Sequence, residues 1–176
     1  MEDSWDRLLT GISYHQTDEE QMNYDWEERG EIDLTVQFKK DYLVGKVIGE
    51  GAYASVRVAV FKPLNKKIAI KIYEKNKIKE SQRKKSVRRE IKILEILDHP
   101  NIVKIHDVVE TNNHLNIIME YLPGISLGNY LKAQANSKIA EKNCKIIFKQ
   151  LTKALKYMHD RSIAHRDIKL ENIILD

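Results

Sequence analysis

Three short runs rich in β-branched residues, set close together, most constrain how this chain of 176 residues folds. The runs are YLVGKVI at 42–48, SVRVAVF at 55–61 and IAIKIY at 68–73, and turn-forming residues such as KPLNKK separate them. Short β-branched runs bounded by turn residues are typical of strands. The simplest arrangement is a meander of three antiparallel strands.

The hydrophobic period lengthens after the third strand. Between residues 80 and 97 the apolar positions fall at helical spacing, on Val87, Ile91, Leu94 and Leu97, with charged residues elsewhere. We expect this helix to stop near residue 98, because the residue before Pro100 favours extended backbone. Two more apolar runs, IVKIHDVV at 102–109 and LNIIMEY at 115–121, flank the polar TNNH and predict a second hairpin.

Beyond residue 124 the pattern becomes helical. A longer helix ending near Asp160 is predicted by an apolar stripe at helical spacing. The stripe consists of Ile147, Leu151, Ala154, Leu155 and Met158. We expect this stripe to lack covering helices and to leave apolar surface exposed.

The composition favours a single globular domain in an intracellular protein. The hydrophobic fraction of 42% can form a single core at this length. Neither a run of about 20 apolar residues nor a secretory-signal layout is present, so we expect no membrane partner and an intracellular, cytoplasmic location, with the nucleus left open. The single Cys144 agrees, because one thiol makes neither an internal disulfide nor a cysteine metal cage.

Charge is distributed unevenly along the chain. Residues 1–40 contain 11 acidic and 4 basic residues, whereas the whole chain has a net charge of +4. We interpret residues 1–40 as an acidic, flexible extension and residues 41–176 as the folded domain. A basic domain suits either nucleic acid or polyphosphate. The basic run at 83–89 has no aromatic residues between its charges, so we interpret it as a solvated helix face and expect no nucleic-acid partner.

A glycine-containing loop joins the first two predicted strands. Taken alone, Gly49 and Gly51 have two explanations: a tight hairpin in which glycine supplies positive φ, or a loop whose backbone N–H groups approach phosphate. A strand after the loop argues against a dinucleotide-binding fingerprint, which needs a helix there. The absence of a Gly-Lys-Ser/Thr sequence argues against a Walker loop.

A lysine and a glutamate can form an ion pair between the third strand and the helix. Lys71 lies on the strand, and Glu90 lies on the helix face that also carries Val87 and Leu94. An unpaired carboxylate on that face would be costly to bury, and a Lys71–Glu90 pair satisfies both groups. Such a pair holds an ammonium group where it can meet the phosphates of a nucleotide.

The segment HRDIKLEN at 165–172 follows the long predicted helix and concentrates polar residues between apolar ones. Its carboxylate, amine and carboxamide can converge on one small site if the loop folds tightly. Asp167 would then accept the proton of an attacking hydroxyl, Lys169 would neutralise a transferring phosphoryl group and Asn172 would ligate Mg²⁺.

These three motifs, in this order, resemble those of eukaryotic protein kinases of the Ser/Thr type, from about Tyr42 to the last residue. Lys169 after His-Arg-Asp matches the Ser/Thr pattern, and KLEN resembles the calmodulin-dependent and AMP-activated group. The resemblance implies an α+β, bilobal kinase-like fold. It consists of a small lobe at 41–121, with a five-stranded antiparallel sheet and helix C, and the first part of the helical large lobe at 122–176.

The resemblance also implies a site for ATP and Mg²⁺. Glu90 would be the helix-C glutamate that pairs with Lys71, and Met119 the gatekeeper. The other residues that would contact the nucleotide are Ile48, Gly49, Glu50 and Gly51 in the phosphate loop, Glu120 and Leu122 in the hinge, and Val56, Ala69 and Ile174 around the adenine ring.

The chain departs from the family pattern in two places. Ala54 replaces the third glycine of the phosphate loop, and the chain ends at Asp176, before an Asp-Phe-Gly motif that would supply a second Mg²⁺ ligand. We therefore expect a partial kinase domain with at most trace activity on its own. The first hypothesis is phosphoryl transfer from MgATP to a protein Ser/Thr hydroxyl. The alternative is a non-catalytic, pseudokinase-like ATP-binding or protein-interaction module. Substrate and oligomeric state stay open.

Overall fold

A computed structural model describes residues 7–8, 13–14, 34–51, 54–78, 81–134 and 136–176. Most of the predicted acidic extension lies outside the described residues. Within it the structure has two short strands, β1 (Arg7–Leu8) and β2 (Ser13–Tyr14), and helix α1 (Leu34–Asp41). The domain boundary that we predict at residue 40 falls inside α1.

Five antiparallel strands form the sheet that the sequence predicts. They are β3 (Tyr42–Glu50), β4 (Ala54–Phe61), β5 (Lys66–Glu74), β6 (Ile105–Glu110) and β7 (His114–Glu120), in the order β3-β4-β5-β7-β6. A 3₁₀ turn at Lys62–Leu64 joins β4 to β5 and ends on Asn65 in the left-handed conformation. Asparagine tolerates this conformation better than most residues, which suits the short connection.

The alternation of side chains along β5 gives the sheet two apolar faces. Ala69 and Tyr73 join one buried cluster, and Ile68 and Ile70 join another. Helix α2 (Ser81–Ile96) covers the first face, and its buried residues are Val87, Ile91, Ile93 and Leu94. Aromatic residues of α1, β3 and β4 pack against the second face: Phe38, Tyr42 and Phe61.

The chain then turns helical. The elements are β8 (Ile125–Ser126), α3 (Leu127–Ala133), α4 (Glu141–His159), β9 (Ile163–Ala164) and β10 (Ile173–Leu175). Strand β10 pairs with β8 and β1, and β9 pairs with β2. Ser126 caps α3, because its side chain accepts the N–H of Asn129 at 3.2 Å. Within the described residues, no helix combines the length and apolar character needed to span a membrane.

Our expectation that the α4 stripe stays uncovered is wrong. Ile147, Leu151 and Met158 are each at most 9% exposed. They pack in one cluster with residues from the end of α2, the segment after it, and the strands β9 and β10. The large exposed apolar side chains on α4 are instead Ile146 and Phe148, which are 38% and 61% exposed.

Gly124 is a position where the fold leaves no room for a side chain. A Cβ atom there would lie 1.6 Å from the carbonyl oxygen of Leu175, in the strand that pairs with β8. We predict that Gly124→Ala lowers the free energy of unfolding by about 1–3 kcal/mol, because β8 and β10 must move apart. Urea denaturation of the chain measures this effect.

Gly51→Ala is the matched control. Among the residues that the structure describes, its added Cβ would meet only the carbonyl oxygen of Ala54, at an ordinary 3.5 Å. Its unfolding midpoint should stay close to that of the wild type. Equal unfolding free energies for Gly124→Ala and Gly51→Ala would show that the predicted strain is absent.

Candidate active site

Gly51 lies in the turn between β3 and β4, as predicted, whereas Gly49 lies near the end of β3 and pairs with Val56. The N–H of Gly51 donates to the carbonyl of Ala54 at 2.8 Å. No glycine in the described residues has a positive φ, so the hairpin explanation based on positive φ is not met. Added Cβ atoms would come no closer than 3.6 Å to Val56 from Gly49 and 3.5 Å to Ala54 from Gly51. Within the described residues, neither a positive φ nor a close packing contact requires glycine at these two positions.

The predicted ion pair between strand and helix is formed. Lys71 Nζ on β5 lies 2.6 Å from Glu90 Oε1 on α2. The two side chains are 22% and 15% exposed, so each charge is largely removed from water. Because an uncompensated charge in such a place is costly, the pair favours one position of α2 against the sheet.

A tyrosine that the sequence analysis did not single out completes this group. The Tyr73 hydroxyl donates to Glu90 Oε2 at 2.7 Å, and Lys71 Nζ lies 5.1 Å from the centre of the Tyr73 ring. Burial raises the pKa of the Tyr73 phenol far above its usual range, and the negative charge of Glu90 raises it further. The sequence spacing could have indicated this contact, because Lys71 and Tyr73 are two residues apart on a strand and therefore share a face.

The residues expected around adenine only partly come together. Val56, Ala69 and Met119 belong to one apolar cluster on the α2 side of the sheet, and Ala69 pairs with Met119 across β5 and β7. Ile48 on β3 is 46% exposed, beside the glycine loop. Ile174 lies in β10, half-buried, opposite Ser126, and it is not a member of that cluster.

The expected hinge is anchored to the segment before β6. The N–H of Glu120 donates to the carbonyl of Lys104 at 3.0 Å, and Glu120 Oε1 accepts the N–H of Lys104 at 2.7 Å. The backbone donor of Glu120 is therefore engaged within the protein. A donor to adenine would have to come from later in the hinge, where the side chain of Leu122 is buried.

The three polar residues of the loop at 165–172 converge as predicted. Lys169 Nζ lies 2.8 Å from Asp167 Oδ2. Asn172 Nδ2 donates to the same carboxylate oxygen at 2.9 Å and to the Asp167 carbonyl at 2.8 Å. Both Asp167 and Lys169 are about half exposed, at 48% and 49%. The loop therefore presents an ionic group to solvent and leaves it accessible to a substrate.

The backbone of this loop is held in an uncommon conformation. Arg166 has a φ of 59°, which few residues other than glycine adopt. The neighbouring His165 is 4% exposed, and its Nδ1 accepts the N–H of Asp167 at 3.2 Å. A 3₁₀ turn at Leu170–Asn172 returns the carboxamide towards Asp167. Local strain of this kind persists only where the surrounding structure holds it in place.

The charge state of Asp167 follows from these contacts. Hydrogen bonds from Lys169, and then from Asn172, hold the pKa of the Asp167 carboxyl below its usual range. The carboxylate is therefore ionised at neutral pH. An ionised, accessible carboxylate can accept a proton.

The donor chemistry of Asn172 fits one protein ligand to Mg²⁺. Its Nδ2 is engaged with Asp167, which leaves Oδ1 as the atom for a metal. Mg²⁺ prefers hard oxygen ligands and usually takes one or two protein groups together with phosphate and water. Among the described residues no cluster of three or more His, Cys, Asp or Glu side chains could hold a metal.

Comparison with known proteins agrees with this geometry. Residues 42–176 match the protein kinase domain family. The chain therefore belongs to the protein kinase family, and the predicted α+β fold, with a small lobe and the start of a large lobe, is confirmed.

Similar curated proteins come from two plants. The chain is 37% identical over 141 residues to the SNF1-related protein kinase catalytic subunit alpha KIN12 of Arabidopsis thaliana, covering 80% of this chain and 28% of that protein. It is 37% identical over 135 residues to the CBL-interacting serine/threonine-protein kinase 21 of the same plant, covering 77% and 32%. For the CBL-interacting protein kinase 31 of Oryza sativa subsp. japonica the identity is 36%, covering 77% and 30%. The chain thus spans about a third of the length of these relatives.

The Asp167 contacts generate a pH prediction. In Lys169→Met the carboxyl loses the strongest of the interactions that lower its pKa, so the Asp167 pKa should rise towards the ordinary aspartate value. The wild-type carboxyl should stay ionised to lower pH than the variant carboxyl. Carboxyl-detected NMR titration measures both values.

Lys156→Met is the control, because Lys156 pairs with Asp160 on the end of α4 and not with the loop. It should leave the titration of Asp167 unchanged. An Asp167 titration that is identical in Lys169→Met and wild type would contradict the assigned electrostatic cause.

Proposed function

We propose that this protein is an ATP-dependent Ser/Thr protein kinase, which transfers the γ-phosphoryl group of MgATP to a protein hydroxyl. The observation that carries the proposal is the convergence of Asp167, Lys169 and Asn172 in one hydrogen-bonded group. Two supports add to it: the Lys71–Glu90 ion pair and the membership of the chain in the protein kinase family. Two similar proteins carry serine/threonine-protein kinase in their names.

Asp167 would act as the proton acceptor. Its carboxylate is ionised at neutral pH and half exposed, so a substrate hydroxyl can reach it. Accepting the hydroxyl proton as the oxygen attacks phosphorus avoids the build-up of positive charge on that oxygen. Asn172 holds the carboxylate through a direct hydrogen bond, which limits its rotation.

Two lysines would supply positive charge at two places along the nucleotide. Lys169 lies beside the base and would neutralise the transferring phosphoryl group. Lys71 is held by Glu90 on the α2 face of the sheet and would meet the α- and β-phosphates. Because both positions are set before a ligand binds, little reorganisation accompanies the reaction.

The remaining residues would bind and orient the nucleotide. Val56, Ala69 and Met119 belong to one apolar cluster, against which a flat aromatic ring would pack. Gly49 and Gly51 leave space for phosphate against the backbone. Asn172 would hold Mg²⁺ through Oδ1, and the ion would neutralise phosphate charge when bound.

Two substitutions separate nucleotide binding from transfer. Asp167→Asn should leave the dissociation constant for MgATP within about two-fold of wild type and lower kcat at least about 100-fold, because the proton acceptor is lost while Lys71 stays in place. Lys71→Met should weaken MgATP binding and transfer together, because a phosphate contact is lost. Calorimetry measures binding, and transfer of radiolabelled phosphate to a generic Ser/Thr substrate measures activity.

Asp160→Asn is the control, because Asp160 pairs with Lys156 at the end of α4 and should leave both quantities unchanged. Since the chain spans about a third of the length of these relatives, the assay uses both the chain as it stands and any longer reading frame that contains it. Transfer that survives Asp167→Asn would refute the assigned base. MgATP binding without transfer in either form would favour the non-catalytic alternative.

A further inference from the structure

We infer that Tyr73 is a positioning residue for the nucleotide site: its hydroxyl fixes the carboxylate of Glu90, and through Glu90 it fixes the ammonium of Lys71. The inference rests on the proposed function, because it assigns Lys71 to nucleotide phosphates. Tyr73 itself would touch neither substrate nor nucleotide in this role.

Both oxygens of Glu90 are bound by residues of a single strand. Oε1 contacts Lys71 Nζ at 2.6 Å, and Oε2 accepts the Tyr73 hydroxyl at 2.7 Å. Lys71 and Tyr73 are two residues apart on β5 and therefore lie on the same face of the sheet. A carboxylate held at one oxygen can rotate about its terminal bond, whereas one held at both oxygens cannot. Tyr73 thus converts a single contact between α2 and β5 into a two-point attachment.

Packing places the Tyr73 ring independently of its hydroxyl. The side chain is 5% exposed and belongs to the cluster that contains Val87, Ile91 and Leu94 of α2. Replacing tyrosine by phenylalanine therefore keeps the packing and removes only the donor. The ring also supports Lys71, whose ammonium lies 5.1 Å from the ring centre, within the range of a cation–π interaction.

The hydroxyl stays a donor over the whole working range of pH. Burial and the nearby carboxylate of Glu90 both raise the pKa of the phenol, so its proton is retained. Loss of the hydroxyl would leave Glu90 Oε2 partly buried without this donor, and a buried acceptor without its partner is costly. The carboxylate would then regain rotational freedom, and Lys71 would lose a fixed partner.

A double-mutant cycle tests the inference through MgATP affinity. The variants are Tyr73→Phe, Glu90→Gln and the two combined, and calorimetry gives the dissociation constant of MgATP for each. Tyr73→Phe should weaken MgATP binding by about 3- to 30-fold, since it removes a hydrogen bond to a charged group. In the Glu90→Gln background the same substitution should change MgATP affinity by less than about two-fold, because the effects of substituting residues that act through one another do not add.

Tyr42→Phe is the matched control. Tyr42 is a half-buried tyrosine of the same sheet that packs between Phe38 and Phe61, and the described part of the chain offers its hydroxyl no hydrogen-bond partner. Its loss should leave MgATP affinity unchanged. Equal affinities for Tyr73→Phe and wild type would overturn the inference. Losses that add in the double variant would also overturn it, because they indicate packing rather than action through Glu90.

A failure of the proposed function can be distinguished from a failure of the inference about Tyr73. If wild type does not bind MgATP, that function falls, and with it the assignment of Lys71 to phosphate. The two-point attachment of Glu90 to Lys71 and Tyr73 is then tested by urea unfolding of wild type, the two single variants and the double variant. If the changes in unfolding free energy caused by Tyr73→Phe and Glu90→Gln do not add in the double variant, the two-point attachment is supported. If they add, it is refuted.

Discussion

The arrangement of the small lobe depends on one partly buried charge. Glu90 projects from α2 towards an apolar sheet face, where an uncompensated carboxylate would be costly. Lys71 and Tyr73 of β5 satisfy its two oxygens, so the helix has one preferred position against the strand. Apolar packing holds α2 on the sheet, but such packing is non-directional. The contacts of Glu90 with Lys71 and Tyr73 are directional and orient the helix. They also place the ammonium that the proposed chemistry needs.

The loop at 165–172 is held in place by different interactions. Asp167 and Lys169 are about half exposed, so water screens their charges and desolvation does not dominate. Their geometry comes instead from a strained backbone at Arg166, a hydrogen bond to buried His165 and a short 3₁₀ turn. The proposed site thus combines a partly buried ion pair that positions a nucleotide with an accessible carboxylate that can meet a protein substrate.

Much of the fold and part of the site followed from local patterns. Strand-like runs, helical spacing and turn residues predicted five antiparallel strands, α2 and α4, because hydrophobic period reports which faces are buried. The Lys71–Glu90 pair was predictable because a carboxylate on an apolar helix face needs a cation. The burial of the α4 stripe was mispredicted, since residues distant in sequence cover Leu151 and Met158. Ile174 was assigned by family resemblance, and its place in β10 lies outside the apolar cluster of Val56 and Ala69.

The sequence by itself determined the family, the order of the elements and the residue types available for chemistry, because motif spacing and hydrophobic period are local properties. Only the tertiary structure decided how these residues meet. It joined Tyr73 to Glu90, engaged the N–H of Glu120 with Lys104, and showed that Gly124 lies against Leu175 while Gly51 does not need to be glycine for packing. The physical reason is that hydrogen-bond partners and close approaches depend on three-dimensional distances between elements, which no single stretch of sequence contains.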